Sequence, residues 1–193
     1  WYDNGQQQEE SNWIEGKQDG LSKSWHENGQ LQSECLFEDG KQNGFSIMWH
    51  ENGQKSYEGK AILGIPTGTI REWYANGSKK SHINFENGKP SGESTKWYKN
   101  GQISGKVFFE NGLFVSGKAW KANGDPCLIT NLKEGNGVSV SYDDQGNQLK
   151  TFKYIDGKQY DAKGNAAGLE IKDANGNIIP TSEAEKHGLV LPK

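Results

Sequence analysis

Trp25-His26-Glu27-Asn28-Gly29, followed within the same unit by Phe37-Glu38-Asp39-Gly40-Lys41, is the stretch on which the fold of this chain turns. Its Asn-Gly, or a Gln-Gly in its place, recurs in steps of 24 at Gly5, Gly29, Gly53, Gly77 and Gly101, then slightly early at Gly124 and Gly146. Four residues before each glycine stands an aromatic: Trp1, Trp25, Trp49, Trp73, Trp97, Trp120 and Tyr142. The second half returns as Phe85-Glu86-Asn87-Gly88-Lys89 and Phe109-Glu110-Asn111-Gly112. Units this short cannot bury a core alone and must stack on their neighbours.

Composition agrees with an extended architecture. Of 193 residues only 32% are apolar and mean hydropathy is −0.93, thin for two packed layers, whereas 26 glycines and seven tryptophans suit hairpins that cover one another through large aromatic side chains. The expected fold is all-β: an elongated single-layer antiparallel sheet of stacked hairpins. At two strands per repeat the rod would be on the order of 70 to 80 Å long.

Both turn signals read x-Asn/Asp-Gly, which suits a two-residue turn or a three-residue loop closing on a left-handed glycine. A three-residue loop pairs Trp25 with Leu31 and, by unbroken alternation, aligns it with Ser33, Cys35 and Phe37. On that reading both turns are glycine-bulge hairpins and one face collects Trp25, Trp49, Trp73, Trp97 and Trp120 with Phe37, Phe85 and Phe109. Gly29, Gly53, Gly77 and Gly101 are the turn glycines. The opposite face carries Gln32, Glu34, Lys80, His82, Ser104 and Lys106, a solvated mixture. Gly16/Gly20, Gly40/Gly44, Gly64/Gly68 and Gly88/Gly92 mark a backbone bend or close strand crossing.

From about Gly112 the register decays, as expected where a solenoid is capped. Three stretches follow: regular repeats over 1–125, degenerate hairpins over 126–179, and a cap or tail over 180–193. In the last, Thr181-Ser182-Glu183-Ala184-Glu185-Lys186-His187-Gly188 is compatible with one short helix, and Leu189-Val190-Leu191 with an apolar cover for a sheet edge.

Gly44-Phe45-Ser46-Ile47-Met48-Trp49-His50-Glu51-Asn52-Gly53-Gln54 and Gly92-Glu93-Ser94-Thr95-Lys96-Trp97-Tyr98-Lys99-Asn100-Gly101-Gln102 resemble the bacterial variant of the MORN repeat, over roughly residues 1 to 125. The resemblance implies a stack of β-hairpins without catalytic residues. It also implies relatives that include a group labelled as antitoxins and others that are exported. Tyr142-Asp143-Asp144-Gln145-Gly146-Asn147 and Tyr160-Asp161-Ala162-Lys163-Gly164-Asn165 resemble the tyrosine-aspartate repeats of toxin shells, but two copies enclose nothing.

Little chemistry is legible. His26 and His50 share a repeat position, yet stacking sets them about 9 to 10 Å apart, whereas zinc ligands lie about 2.0 to 2.2 Å from the ion. His82 and His187 join no nucleophile–base pair, and the Asp/Asn turns near Asp161 and Asp173 lack the spaced ligands of an EF-hand. Cys35 and Cys127 stand four repeats apart, on the order of 40 Å, beyond the about 7 Å that a disulfide spans. No catalytic, cofactor or metal site is therefore expected.

Net charge is −3 and Arg71 is the one arginine, which disfavours nucleic acid and anionic lipid. The expected function is a non-enzymatic protein–protein interaction scaffold, antitoxin-like or part of cell-envelope assembly; the alternative is a glycan-binding protein using its aromatic rows. Strand pairing at an open edge is a further route to partners, with the first hairpin, around Trp1 to Gly20, the most partner-dependent region. The chain opens inside a repeat at Trp1, so an upstream segment is expected, and export or the envelope is favoured slightly over the cytoplasm.

Overall fold

The computed structural model describes residues 1–161, 171–172 and 178–179, and all its regular structure is strand. Ten strands, β1 (Glu9–Ile14), β2 (Lys17–Trp25), β3 (Leu31–Glu38), β4 (Lys41–Trp49), β5 (Lys55–Ile62), β6 (Ile65–Trp73), β7 (Lys79–Glu86), β8 (Lys89–Trp97), β9 (Ile103–Glu110) and β10 (Leu113–Ala119), form one antiparallel sheet in chain order. Neighbours in sequence are neighbours in space, so every connection is a hairpin. At about 4.8 Å per strand this sheet spans roughly 43 Å.

The two turn signals fold differently. After each tryptophan the chain makes the expected three-residue loop: His26 N donates to Gln30 O and Gly29 N to His26 O, both at 2.8 Å, with Gly29 left-handed at φ 81°. The second turn corrects the expectation. Glu38 pairs directly with Lys41, and Asp39 and Gly40 both have positive φ, 49° and 76°, which is the two-residue turn whose twist matches that of the strands. Asn87–Gly88 and Asn111–Gly112 repeat it.

A second correction concerns the faces. Trp25 pairs with Leu31 as the spacing requires, but Ser24 pairs with Ser33, so Gln32 is an extra residue opposite no partner. The same β-bulge follows each later loop, at Ser56, Lys80 and Ser104. A bulge resets the alternation of the strand that carries it. Phe37 consequently faces with Cys35 and Gly20, Phe85 with Ile83 and Gly68, and Phe109 with Val107 and Gly92, away from the tryptophans. The tryptophans and phenylalanines form two rows on opposite faces rather than one ladder.

The phenylalanine face is lined by small residues and packs tightly in places: Ser46, Ser94 and Ala61 are buried. Cys35 lies here, its Sγ 2.8 Å from Ser46 Oγ. Its second bulge falls at the expected glycine pairs. Gly44, at φ 136°, sits so close to Leu36 that a Cβ there would lie 3.0 Å from Leu36 Cδ2.

The ladder stops at a proline. Pro126 occupies the position held by Leu31, Lys55, Lys79 and Ile103, and only an isolated bridge joins it to Trp120. Without an N–H it cannot carry a ladder forward. The chain instead folds back along the outer edge of β10: Cys127 N donates to Ala119 O, Gly117 N to Leu132 O, Gly135 N to Val115 O and Phe114 N to Gly157 O. A second sheet, β11 (Gly137–Tyr142), β12 (Gln148–Ile155) and β13 (Lys158–Tyr160), packs there. Phe114 links the two sheets, its ring 4.9 Å from Phe109 and 4.4 Å from the buried Tyr154. The uniform rod expected from the repeat count is thus replaced by a ten-stranded sheet and a cap.

Ala119, Cys127 and Val140 form a small buried cluster. Burial pushes the Cys127 thiol up, but hydrogen bonds with Thr130, Tyr142 and the backbone near Ile129 outweigh it and leave its pKa below the ordinary value. Both cysteines are free. A further two-stranded pair, β14 (Ile171–Lys172) and β15 (Ile178–Ile179), completes the described residues. The helix expected near 181–188 and the tail Leu189-Val190-Leu191 lie outside them.

Candidate binding face

The tryptophan face is built from repeat position rather than from any one motif. Trp25, Trp49, Trp73, Trp97 and Trp120 stand half-buried beside the three-residue loops, and Lys55 and Lys79, which pair with Trp49 and Trp73, reach toward the following indole. Lys55 Nζ lies 5.6 Å from the centre of Trp73 and Lys79 Nζ 5.8 Å from that of Trp97, both cation–π contacts. His82 leans on Trp97 at 5.5 Å. Away from the loops, cross-strand ion pairs Lys23–Glu34, Arg71–Glu58 and Lys106–Glu93 run across the same face at 3.4 to 3.7 Å.

Side chains of each loop bond to the next loop. Tyr2, Tyr74 and Tyr98 donate their hydroxyls to the carbonyls of Trp25, Trp97 and Trp120 at 2.7 to 2.8 Å. His26 and His50 fill the same role, Nε2 donating to Trp49 O and Trp73 O at 2.9 Å. The asparagines work in parallel: Asn52 Nδ2 donates to Ala75 O while its Oδ1 accepts from Gln54 N. Asn28, Asn76 and Asn100 do likewise. Sequence reasoning weighed the histidines against metal binding and missed this ladder. Its signal was present in the Tyr or His that follows Trp1, Trp25, Trp49, Trp73 and Trp97.

The loop bonds leave the loops rigid and the other end of the face open. Leu21 and Leu36 pair across β2 and β3, Phe45 stands on β4, and Ile62 pairs with Ile65 beside the next tight turn. They are 37%, 43%, 62%, 51% and 53% exposed, an apolar run in two successive repeats where most chains would place polar residues. One repeat further the run gives way to a polar groove of about 270 Å³ between Trp73 and Trp97.

The sequence profile of the MORN repeat variant matches residues 18–39, 66–87 and 90–111, three strand–loop–strand units ending at a tight turn. The chain carries MORN repeats. Residues 42–63, outside the matched segments, hold the same register and the same loop bonds, so the MORN stack is continuous through β10. No curated protein matches the chain in sequence. Among solved structures, an alternansucrase in complex with isomaltononaose is similar at 16% identity over 88% of this chain, with a TM-score of 0.16. This chain spans 16% of that one, and the likeness bears on neither fold nor function here. MORN repeats are in general binding modules rather than enzymes.

Proposed function

We propose that this chain is a non-enzymatic scaffold that holds a protein partner across its tryptophan face. The observation that carries the reading is the exposed run Leu21, Leu36, Phe45, Ile62 and Ile65 on a sheet whose loops are otherwise fastened to one another. Exposed apolar side chains grouped on an ordered surface are the usual mark of a protein contact, and Lys60, with Nζ 5.6 Å from the centre of the Phe45 ring, stands among them. The glycan alternative asks for indole faces open to a sugar ring, whereas Lys55 and Lys79 stand over Trp73 and Trp97, which favours the protein reading. Toxin neutralisation and envelope assembly are the two settings we propose for it, and gene neighbourhood separates them.

Selection of peptides from a random display library against the immobilised chain tests this. Enriched peptides should bind the wild-type chain and lose tenfold or more, about 1.4 kcal/mol, to the Phe45→Ser/Ile62→Ser variant. Enriched peptides that bind the variant unchanged overturn the assignment of this face.

A further inference from the structure

We infer that the groove between Trp73 and Trp97 is a carboxylate-binding subsite, which anchors an acidic side chain of the protein segment held by the neighbouring apolar run. The inference rests on the scaffold reading and names the chemistry of the partner.

The groove exists because two side chains are short. The pair Thr69 and Asn84 stands where Phe45 and Lys60 stand one repeat earlier and Leu21 and Leu36 two repeats earlier, and its loss of bulk opens the space. Thr69 Oγ1 donates to Asn84 Oδ1 at 2.5 Å, which engages one lone pair of the amide oxygen and fixes which end of the amide carries the Nδ2 donors. Arg71 is half-exposed and touches Glu58 at 3.7 Å, while the other oxygen of Glu58 is taken by Lys55 at 2.6 Å. Lys79 is exposed and, among the described residues, has no carboxylate within ion-pair distance.

One carboxylate lines the groove, Glu72, whose Oε2 accepts from Ser81 Oγ at 2.8 Å and lies 3.5 Å from Lys80 Nζ. Arg71, Lys79 and the Asn84 amide therefore bring donors to the space beside the partly engaged Glu72. Among the lining residues Arg71 and Lys79 stand against Glu72, two cations to one anion, a local excess of one positive charge on a chain of net charge −3. A planar two-oxygen anion fits a guanidinium, an ammonium and an amide N–H set side by side. A polyphosphate or nucleic acid backbone would need cations in series, which this chain lacks.

Leu36 on β3 and Asn84 on β7 are four strands apart, about 19 Å. An extended peptide of about six residues covers that span. The partner segment so defined is apolar at one end and acidic at the other.

Calorimetric titration of the full chain with a synthetic peptide of leucines followed by glutamates, and with its glutamine counterpart, tests the subsite. The glutamate peptide should bind about tenfold more tightly, the worth of one charge-assisted hydrogen bond. That advantage should vanish in Thr69→Leu/Asn84→Leu, which fills the groove with the pair that Leu21 and Leu36 already form two repeats earlier, and shrink in the exposed change Lys79→Gln. Equal affinity of the two peptides for the wild-type chain, or binding of neither, overturns the subsite, while the Phe45→Ser/Ile62→Ser comparison still decides the scaffold reading separately. Tighter binding of an oligogalacturonate than of the glutamate peptide also overturns it, in favour of an acidic sugar. A phosphopeptide that outcompetes the glutamate peptide overturns the carboxylate assignment.

Discussion

Nε2 of His50 donates to the carbonyl oxygen of Trp73 at 2.9 Å, the place that the hydroxyl of Tyr74 takes on Trp97 one repeat later at 2.8 Å. One geometric role is thus filled by two side chains, a ring nitrogen and a phenol. His50→Tyr is therefore expected to leave stability nearly unchanged, whereas His50→Phe should cost about 1 kcal/mol, the net worth of one hydrogen bond. Urea unfolding of the two variants checks this.

Asn100 joins two loops at once, Nδ2 to Ala122 O at 2.8 Å and Oδ1 from Gln102 N at 3.0 Å. Asn100→Ala should cost about 1 to 3 kcal/mol. In a stack where stability is the sum of repeat and interface terms, hydrogen exchange should show the amides around 97–125 opening before those of β3 to β6.

Gly157, at φ 74°, lies against β10 so closely that a Cβ would fall 2.7 Å from Leu113 Cβ and 3.0 Å from Phe114 O. Gly157→Ala should therefore loosen the cap and leave the ten-stranded sheet intact. Loss of protection confined to β11 to β13 is the expected exchange pattern, and uniform loss would contradict it.

Alkaline pH should act on the cap as well. Burial pushes the Tyr154 phenol up to about 12, and Tyr142 is pushed up to about 12 chiefly by its hydrogen bond with Cys127, against an ordinary value of 10.0. The folded state holds these protons more tightly than the unfolded chain does. The resulting stability is complete below pH about 10 and is lost as pH rises toward about 12, on the order of 2 kcal/mol for the buried Tyr154. Tyr154→Phe should flatten that loss in denaturant midpoints measured across the range.

Trp73 is half-buried beside a lysine stem rather than enclosed. Trp73→Ala is accordingly expected to cost about 2 kcal/mol, less than the roughly 3 to 5 kcal/mol of a fully buried aromatic. Thermal melting monitored by circular dichroism measures the difference.

The hairpin stack, its order and its three-residue loops were legible because they follow from spacing: Trp25 to Gly29 and Asp39-Gly40 recur at the chain reversals, with Glu15-Gly16 and Leu63-Gly64 keeping the glycine but not the Asp or Asn. The faces were not, because the extra residue at Gln32 carries no compositional mark, and one uncounted residue moves Phe37 to the other side of the sheet. The place where the ladder ends was written in Pro126, but its meaning depends on its alignment with Leu31 and Ile103. The groove beside Trp73 is a matter of what is missing. Thr69 and Asn84 are unremarkable residues until they are set beside Leu21 and Leu36.

The loop-to-loop side-chain bonds all run one way. Tyr2, His26, His50, Tyr74 and Tyr98 each give a proton to the repeat that follows, and Asn4, Asn28, Asn52, Asn76 and Asn100 do the same. The column therefore has a head and a tail. At the tight turns the sense is opposite, Gly40 N donating back to Gln18 O and Gly64 N to Gln42 O, so a stack parted between repeats presents side-chain donors at the loop end of the leading piece and carbonyl acceptors at its turn end, and the trailing piece complements it in a single orientation.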